Sequence, residues 1–143
     1  MKYHIEKNTI QETLVIPLYA RALCTRRFPH LFSDPLSVEL LEELDYDFTT
    51  LERTSGGLMQ TFGAMEAAMR QSDLAFEVRD YLRDHPQAAV VNLGCGLDQT
   101  GRSCDNGQCR LYNIDLPDVM AVREALLPAG EREKNLAADL NDV

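Results

Sequence analysis

The segment that most limits what this chain can fold into is Ala88-Ala-Val-Val-Asn-Leu93 with Gly94-Cys-Gly96 directly behind it. A short apolar run after the turn signal His85-Pro86 predicts a buried parallel strand over Ala89–Leu93. The glycines then place a turn at its carboxyl end. A second strand fits Arg110–Ile114 and ends at Asp115. Pro117 opens a helix with Val119, Val122 and Leu126 facing inward, stopped by Pro128-Ala-Gly130. A third strand fits Lys134–Ala138 and ends at Asp139. Strand, glycine loop, strand, helix, strand is the alternation of a doubly wound α/β sheet. The crossover Leu97–Cys109 contains Gly101 and Gly107, so its helix is expected to be short or irregular.

The residues before this alternation read as helical. Thr13–Leu23 carries apolar residues at 14, 15, 18, 19, 22 and 23, with Pro17 in a first turn or at a bend. Asp34-Pro35 is a start signal, a carboxylate cap followed by proline at the first helical position, and Leu36, Leu40 and Leu44 then recur on one face. Past Gly56-Gly57, one apolar set (Leu58, Phe62, Met65, Met69) and another (Leu74, Val78, Tyr81, Leu82) predict two helices or one long bent one, with these side chains packed in a core. The helix stops before Pro86. Residues 1–85 are therefore expected to form a helical amino-terminal region, and 86–143 the first part of an α/β domain.

With 143 residues the chain is long enough for a real core. A net charge of −9 repels phosphate backbones and argues against a nucleic-acid partner. No apolar run approaches the roughly 18 residues of a membrane helix, and the start lacks a signal-peptide core, so a cytoplasmic location is expected. Cys24, Cys95, Cys104 and Cys109 form no C-x-x-C pair and, with three scattered histidines, no zinc pattern. Cys104 and Cys109 share a loop region, where a cytosolic pair would stay reduced.

The chemistry concentrates at Gly94, Gly96 and Asp115. Ligands of open α/β sheets bind beyond the carboxyl ends of the strands, where glycine lets them approach the backbone and an acid can accept from both ribose hydroxyls. That predicts nucleoside binding. A pyrophosphate site wants G-x-G-x-x-G opening a helix, whereas Gln99 stands at the third glycine position and Asp98 adds negative charge. A nucleoside with a positive centre and no phosphates, the composition of S-adenosylmethionine, suits the loop better than a nicotinamide dinucleotide.

These residues also resemble a known family. Thr13-Leu-Val-Ile-Pro-Leu-Tyr-Ala-Arg-Ala22, Asp34-Pro35, Asp45-Tyr-Asp-Phe48, Pro86-Gln-Ala-Ala-Val-Val-Asn-Leu-Gly-Cys-Gly-Leu-Asp98 and Tyr112-Asn-Ile-Asp-Leu-Pro-Asp-Val119 are similar to segments of the leucine carboxyl methyltransferase family. The likeness is particularly to its bacterial branch of O-methyltransferases associated with polyketide biosynthesis. The resemblance implies a Rossmann-like class I methyltransferase sheet, here its amino-terminal half with about three parallel strands, and S-adenosylmethionine as cofactor. It implies that Gly94 and Gly96 line the methionine part, Asp115 holds the ribose, Asp139 and Leu140 hold the adenine, Arg70 pairs with the cofactor carboxylate, and Arg21 faces the active-site cap. The methyl acceptor would be a small molecule or a protein carboxyl terminus. The chain departs from the pattern after Asp98, where Gln99-Thr100 replace Thr-Arg and Arg102 is displaced. The open edge of the first strand is expected to be covered by self-association or by a carboxy-terminal half. A non-catalytic module keeping the fold, or a nicotinamide oxidoreductase, are the competing readings.

Overall fold

The computed structural model of the chain describes residues 1–54 and 56–142. It falls into two compact units, Met1–Ser72 and Asp73–Val143, and each is taken by itself. Among the described residues no helix is long and apolar enough to cross a membrane.

The first unit is mostly helical. A two-residue strand β1 (Tyr3–His4) and a 3-10 turn (Ile10–Leu14) lead into helix α1 (Val15–Arg27). Pro17 lies in the first turn of α1, where its missing N–H costs no helical bond. Helix α2 (Pro35–Glu43) begins as expected: the Asp34 carboxylate accepts the Ser37 N–H at 3.0 Å and Pro35 follows the cap. Strand β2 (Leu44–Asp45) pairs with β1 in parallel, a two-residue pairing too short to leave a periodicity in the sequence. Val15, Leu18, Ala22, Leu40, Leu41 and Leu44 are buried here. A further cluster joins Cys24 and Phe32 to Ala68.

After α3 (Thr49–Thr54) comes one continuous helix, α4 (Leu58–Asp84), of 27 residues. Its core face matches the expected one only in part. The buried positions are Ala64, Ala68, Ala75 and Leu82, whereas Leu58, Phe62, Met69, Leu74 and Tyr81 are exposed. At 3.6 residues per turn those four buried positions form one stripe, and Leu58, Phe62 and Met69 lie roughly on the opposite side. Of the expected core positions Leu82 is buried and Met65 and Val78 pack against the clusters, whereas Leu58, Phe62, Met69, Leu74 and Tyr81 face outward and alanines take their place.

In the second unit the strands are β3 (Ala89–Leu93), β4 (Arg110–Asp115) and β5 (Glu133–Ala137), parallel and in that order. The register pairs Leu93 with Ile114 and Ile114 with Leu136. Helix α6 (Pro117–Leu126) buries Val119, Met120, Val122 and Arg123. The crossover between β3 and β4 holds only α5 (Thr100–Ser103), four residues long, as its glycines suggest. One face of the sheet packs well: Leu111 joins Ala75, Leu82, Cys104 and Cys109, with Val90 against them. Burying a leucine side chain of this kind stabilises by about 1.5–3 kcal/mol. Cys104 and Cys109 are free thiols in this cluster. The other face is open: Val91 and Leu93 are 51% and 60% exposed and Leu136 41%. The expectation of a strand buried on both faces therefore fails for β3, since nothing among the described residues covers the Val91–Leu93 side.

Candidate functional site

The carboxyl ends of the three strands meet at one edge of the sheet, and the loop after β3 folds across it. Gly94 and Gly96 both hold left-handed backbone, with φ of +63° and +47°, which side-chain-bearing residues rarely adopt. The tight turn aims the Gly94 and Cys95 N–H groups at one acceptor, the Ile114 carbonyl, at 2.8 and 3.2 Å. The Gly96 N–H then donates to Asp115 Oδ2 at 2.7 Å, and Leu116 N–H donates to Oδ1 at 2.8 Å. Asp115 is thus fixed against the loop. A carboxylate offers roughly four lone-pair sites. Two are filled by the backbone, which leaves one on each oxygen for a ligand carrying a pair of hydroxyls.

The next strand end contributes less order. The Asp115 carbonyl accepts the Ala138 N–H at 2.9 Å, so Asp139 and Leu140 leave β5 beside Asp115. Asp139 is exposed and its Oδ1 accepts from the Asn141 backbone N–H at 2.9 Å and from its side chain at 2.8 Å. Those bonds, the backbone one first, hold its carboxyl below the usual range. Leu140 is half exposed.

Arg123 on α6 was invisible to the sequence reading and sits underneath the loop with no exposed surface. Its Nη1 donates to the carbonyls of Gly96 and Asp98 at 2.9 and 2.7 Å, and its Nε donates to Asn135 Oδ1 at 3.2 Å. Nη2 faces Glu133 Oε1 at 3.4 Å. Glu133, itself buried, also accepts from Arg102 Nε at 3.0 Å, from Asn113 Nδ2 at 2.8 Å and from the Gly130 N–H at 3.0 Å. Burial pushes the Glu133 carboxyl up, but the bonds from Gly130, Arg102 and Asn113 outweigh it and hold it below its ordinary value. The signal that could have found Arg123 is its position: it follows Val122 and lies four residues after Val119, on the stripe that α6 buries.

The displaced Arg102 therefore has a use, linking α5 to Glu133 and to the Pro128 carbonyl at 2.7 Å. Asp98 is bonded within the loop. Its carboxylate accepts from Asn92 Nδ2 at 2.9 Å, the Thr100 N–H at 3.0 Å and the Thr100 hydroxyl at 2.9 Å, tying the loop to the start of α5. Cys95, between the glycines, is buried; desolvation pushes its thiol up to about 11 even though the Arg123 charge opposes this, so it is no nucleophile at neutral pH.

The other two expected residues belong to the first unit. Arg70 is on α4, exposed, with no ion-pair partner among the described residues. Arg21 is buried, and its Nε donates to Asp34 Oδ2 at 3.1 Å, while Asp34 caps α2.

The family model described as Leucine carboxyl methyltransferase matches residues 15–142. Among curated proteins, the chain is similar to the tetracenomycin polyketide synthesis O-methyltransferase TcmP of Streptomyces glaucescens, with 31% identity over 132 residues. The aligned stretch is 92% of this chain and 47% of that relative, so the chain spans about half the length of the relative it matches. No solved structure gives a significant match.

Proposed function

The chain belongs to the leucine carboxyl methyltransferase family, and from that premise we propose that it carries the cofactor-binding part of an S-adenosylmethionine-dependent O-methyltransferase. The observation that supports this most directly is the contact between Asp115 and the Gly96 N–H, which sets an acid with one free acceptor site per oxygen beside bare backbone. In this reading Asp115 holds the ribose and Gly94 and Gly96 admit the methionine part. Asp139 and Leu140 contact the adenine, and Arg70 matches a carboxylate with its planar fork.

The loop offers little to a pyrophosphate. Arg123 directs its donors at backbone and side-chain oxygens, and α5 is too short to present a helix dipole. This disfavours the nicotinamide reading.

When bound, S-adenosylmethionine would supply an electrophilic methyl group on sulfur for transfer to an acceptor oxygen. The chain's own task is to position and to exclude water. A carboxylate acceptor brings no proton to remove, so it needs no base from the protein; an alcohol does. The acceptor is a small molecule or a carboxyl terminus, and TcmP's role in polyketide synthesis favours the former. A cytoplasmic setting fits a chain whose described helices include none able to span a membrane. The open edge of β3, an outer strand of the sheet that carries Val90, Val91 and Leu93, is covered by a second copy or by a carboxy-terminal half.

Calorimetric titration with S-adenosylhomocysteine and with NAD tests the reading: the first binds and the second does not. Asp115→Ala weakens the first by about 1–3 kcal/mol, the scale of lost hydrogen bonds to a charged group. An unchanged affinity refutes the ribose assignment. Binding without methyl transfer to any offered acceptor favours a non-catalytic module.

A further inference from the structure

The open face of the sheet carries a hollow at the end opposite the glycine loop. Its walls are Gln87, Ala89, Gln108, Arg110 and Tyr112, all within the second unit, and its volume is about 480 Å³. Arg110 lies in register with Ala89 at the amino-terminal ends of β4 and β3, and Tyr112 follows two residues later on the same face. The run of strand from Ala89 to Leu93, about 13 Å, separates this end from the Gly94 turn.

The first clue to an occupant is an arginine without company. Elsewhere in the second unit Arg79 bonds the Ser103 carbonyl, Arg83 pairs with Asp80, Arg102 and Arg123 pair with Glu133, and Arg132 pairs with Asp105. Arg110 is exposed, and its side chain alone among these arginines makes no hydrogen bond or ion pair with any described residue.

The walls supply the second. The side chains of Gln87, Gln108 and Tyr112 are likewise unbonded among the described residues, and no carboxylate lines the hollow in a chain of net charge −9. A guanidinium, two amides and a phenol all donate hydrogen bonds into one space. A tetrahedral oxyanion uses more donors than a planar carboxylate does, and the guanidinium fork takes two of its oxygens at once. In the adjoining depression Lys134, the exposed register partner of Tyr112, adds positive charge, and the carboxylates there are Glu131 and the already paired Glu133.

Size is the third. The volume lies in the range of small-molecule pockets and far exceeds a bare phosphate ion. The oxyanion therefore arrives on an organic body, to which the Tyr112 ring and Ala89 offer surface and the two amides offer acceptors as well as donors.

We propose that this hollow binds a small phosphate monoester, its phosphate on Arg110 and its body over Ala89 and Tyr112. The site is separate from the strand ends that carry Gly94, Gly96 and Asp115, and it stands whatever those residues bind.

The whole chain is titrated by calorimetry with phenyl phosphate, inorganic phosphate and phenol, and separately with S-adenosylhomocysteine. Phenyl phosphate binds saturably, and more tightly than inorganic phosphate or phenol. Arg110→Gln weakens it roughly tenfold or more, and Arg110→Lys, which keeps the charge and loses the fork, weakens it less. Arg83→Gln, at another exposed arginine, leaves it unchanged. The Arg110 side chain holds no bond within the fold, so Arg110→Gln keeps the native Tm and the native affinity for S-adenosylhomocysteine. The proposal is overturned if the native chain shows no saturable phenyl phosphate binding, if inorganic phosphate or phenol binds as tightly, or if Arg110→Gln binds normally. Equal losses in Arg110→Gln and Arg83→Gln also overturn it, because they mark diffuse attraction to positive charge. So does displacement of phenyl phosphate by S-adenosylhomocysteine, which places both at one site. Phenyl phosphate binding as expected with no S-adenosylhomocysteine binding supports the hollow and sinks the methyl-donor reading instead.

Discussion

Arg21 in the first unit and Arg123 in the second are both buried, yet their guanidinium groups face different company. Arg21 meets Asp34, an acid that also caps α2, so its charge helps fix one helix start against another helix. Arg123 directs its shortest bonds at main-chain carbonyls of the glycine loop and only a long one at Glu133. Taking a charge out of water is expensive in both places. In the first unit that cost goes to architecture. In the second it goes to the shape of a loop that meets Asp115, so damage should propagate to ligand binding there and not in the first unit.

The largest expected effect is that of Arg123→Met. It leaves the Gly96 and Asp98 carbonyls without this donor and Glu133 short of a cation, and should cost toward the upper end of the roughly 3–5 kcal/mol seen when one member of a buried pair is removed. Urea denaturation measures that loss, and calorimetry under stabilising conditions should find S-adenosylhomocysteine binding abolished in the molecules that stay folded. Retained affinity would break the distinction between the two arginines.

Arg21→Met comes next, at the lower end of about 3–5 kcal/mol, because Asp34 keeps the Ser37 N–H as a partner. The folded fraction should bind S-adenosylhomocysteine with unchanged affinity; a fall as steep as that of Arg123→Met would mean that both arginines serve the same site.

The smallest effect is a pH limb. Glu133 has a depressed carboxyl in the folded chain, so its contribution is present above the unfolded value of about 4.3 and is lost as pH falls through the folded one. Thermal melts from pH 7 to pH 3 should show Glu133→Gln flattening that acid loss, measured against the native protein.

What the sequence disclosed follows from how far each signal reaches. Gly94, Gly96 and the acid ending β4 are set by local chain geometry: a turn needs left-handed backbone, and a strand's last residue sits at the sheet edge. The Asp34-Pro35 helix start is equally local. Arg123 is not, since its role depends on a loop 25 to 27 residues earlier arriving above it, and a lone arginine on a helix ordinarily reads as solvated. The stripes of α4 held only in part, at Met65, Val78 and Leu82, and for a related reason. Spacing defines faces, but which one is covered depends on how closely neighbours can approach, and Ala64, Ala68 and Ala75 settled that in favour of the smaller side chains.

One consequence concerns chemical probing. A cysteine flanked by two glycines at a ligand loop invites electrophiles, yet the Cys95 sulfur is enclosed and stays a thiol across the physiological range. The other three cysteines are buried as well. Alkylating reagents and mild oxidants should therefore pass the folded molecule by, and an inhibitor directed at this loop has to gain its residence time from reversible contacts.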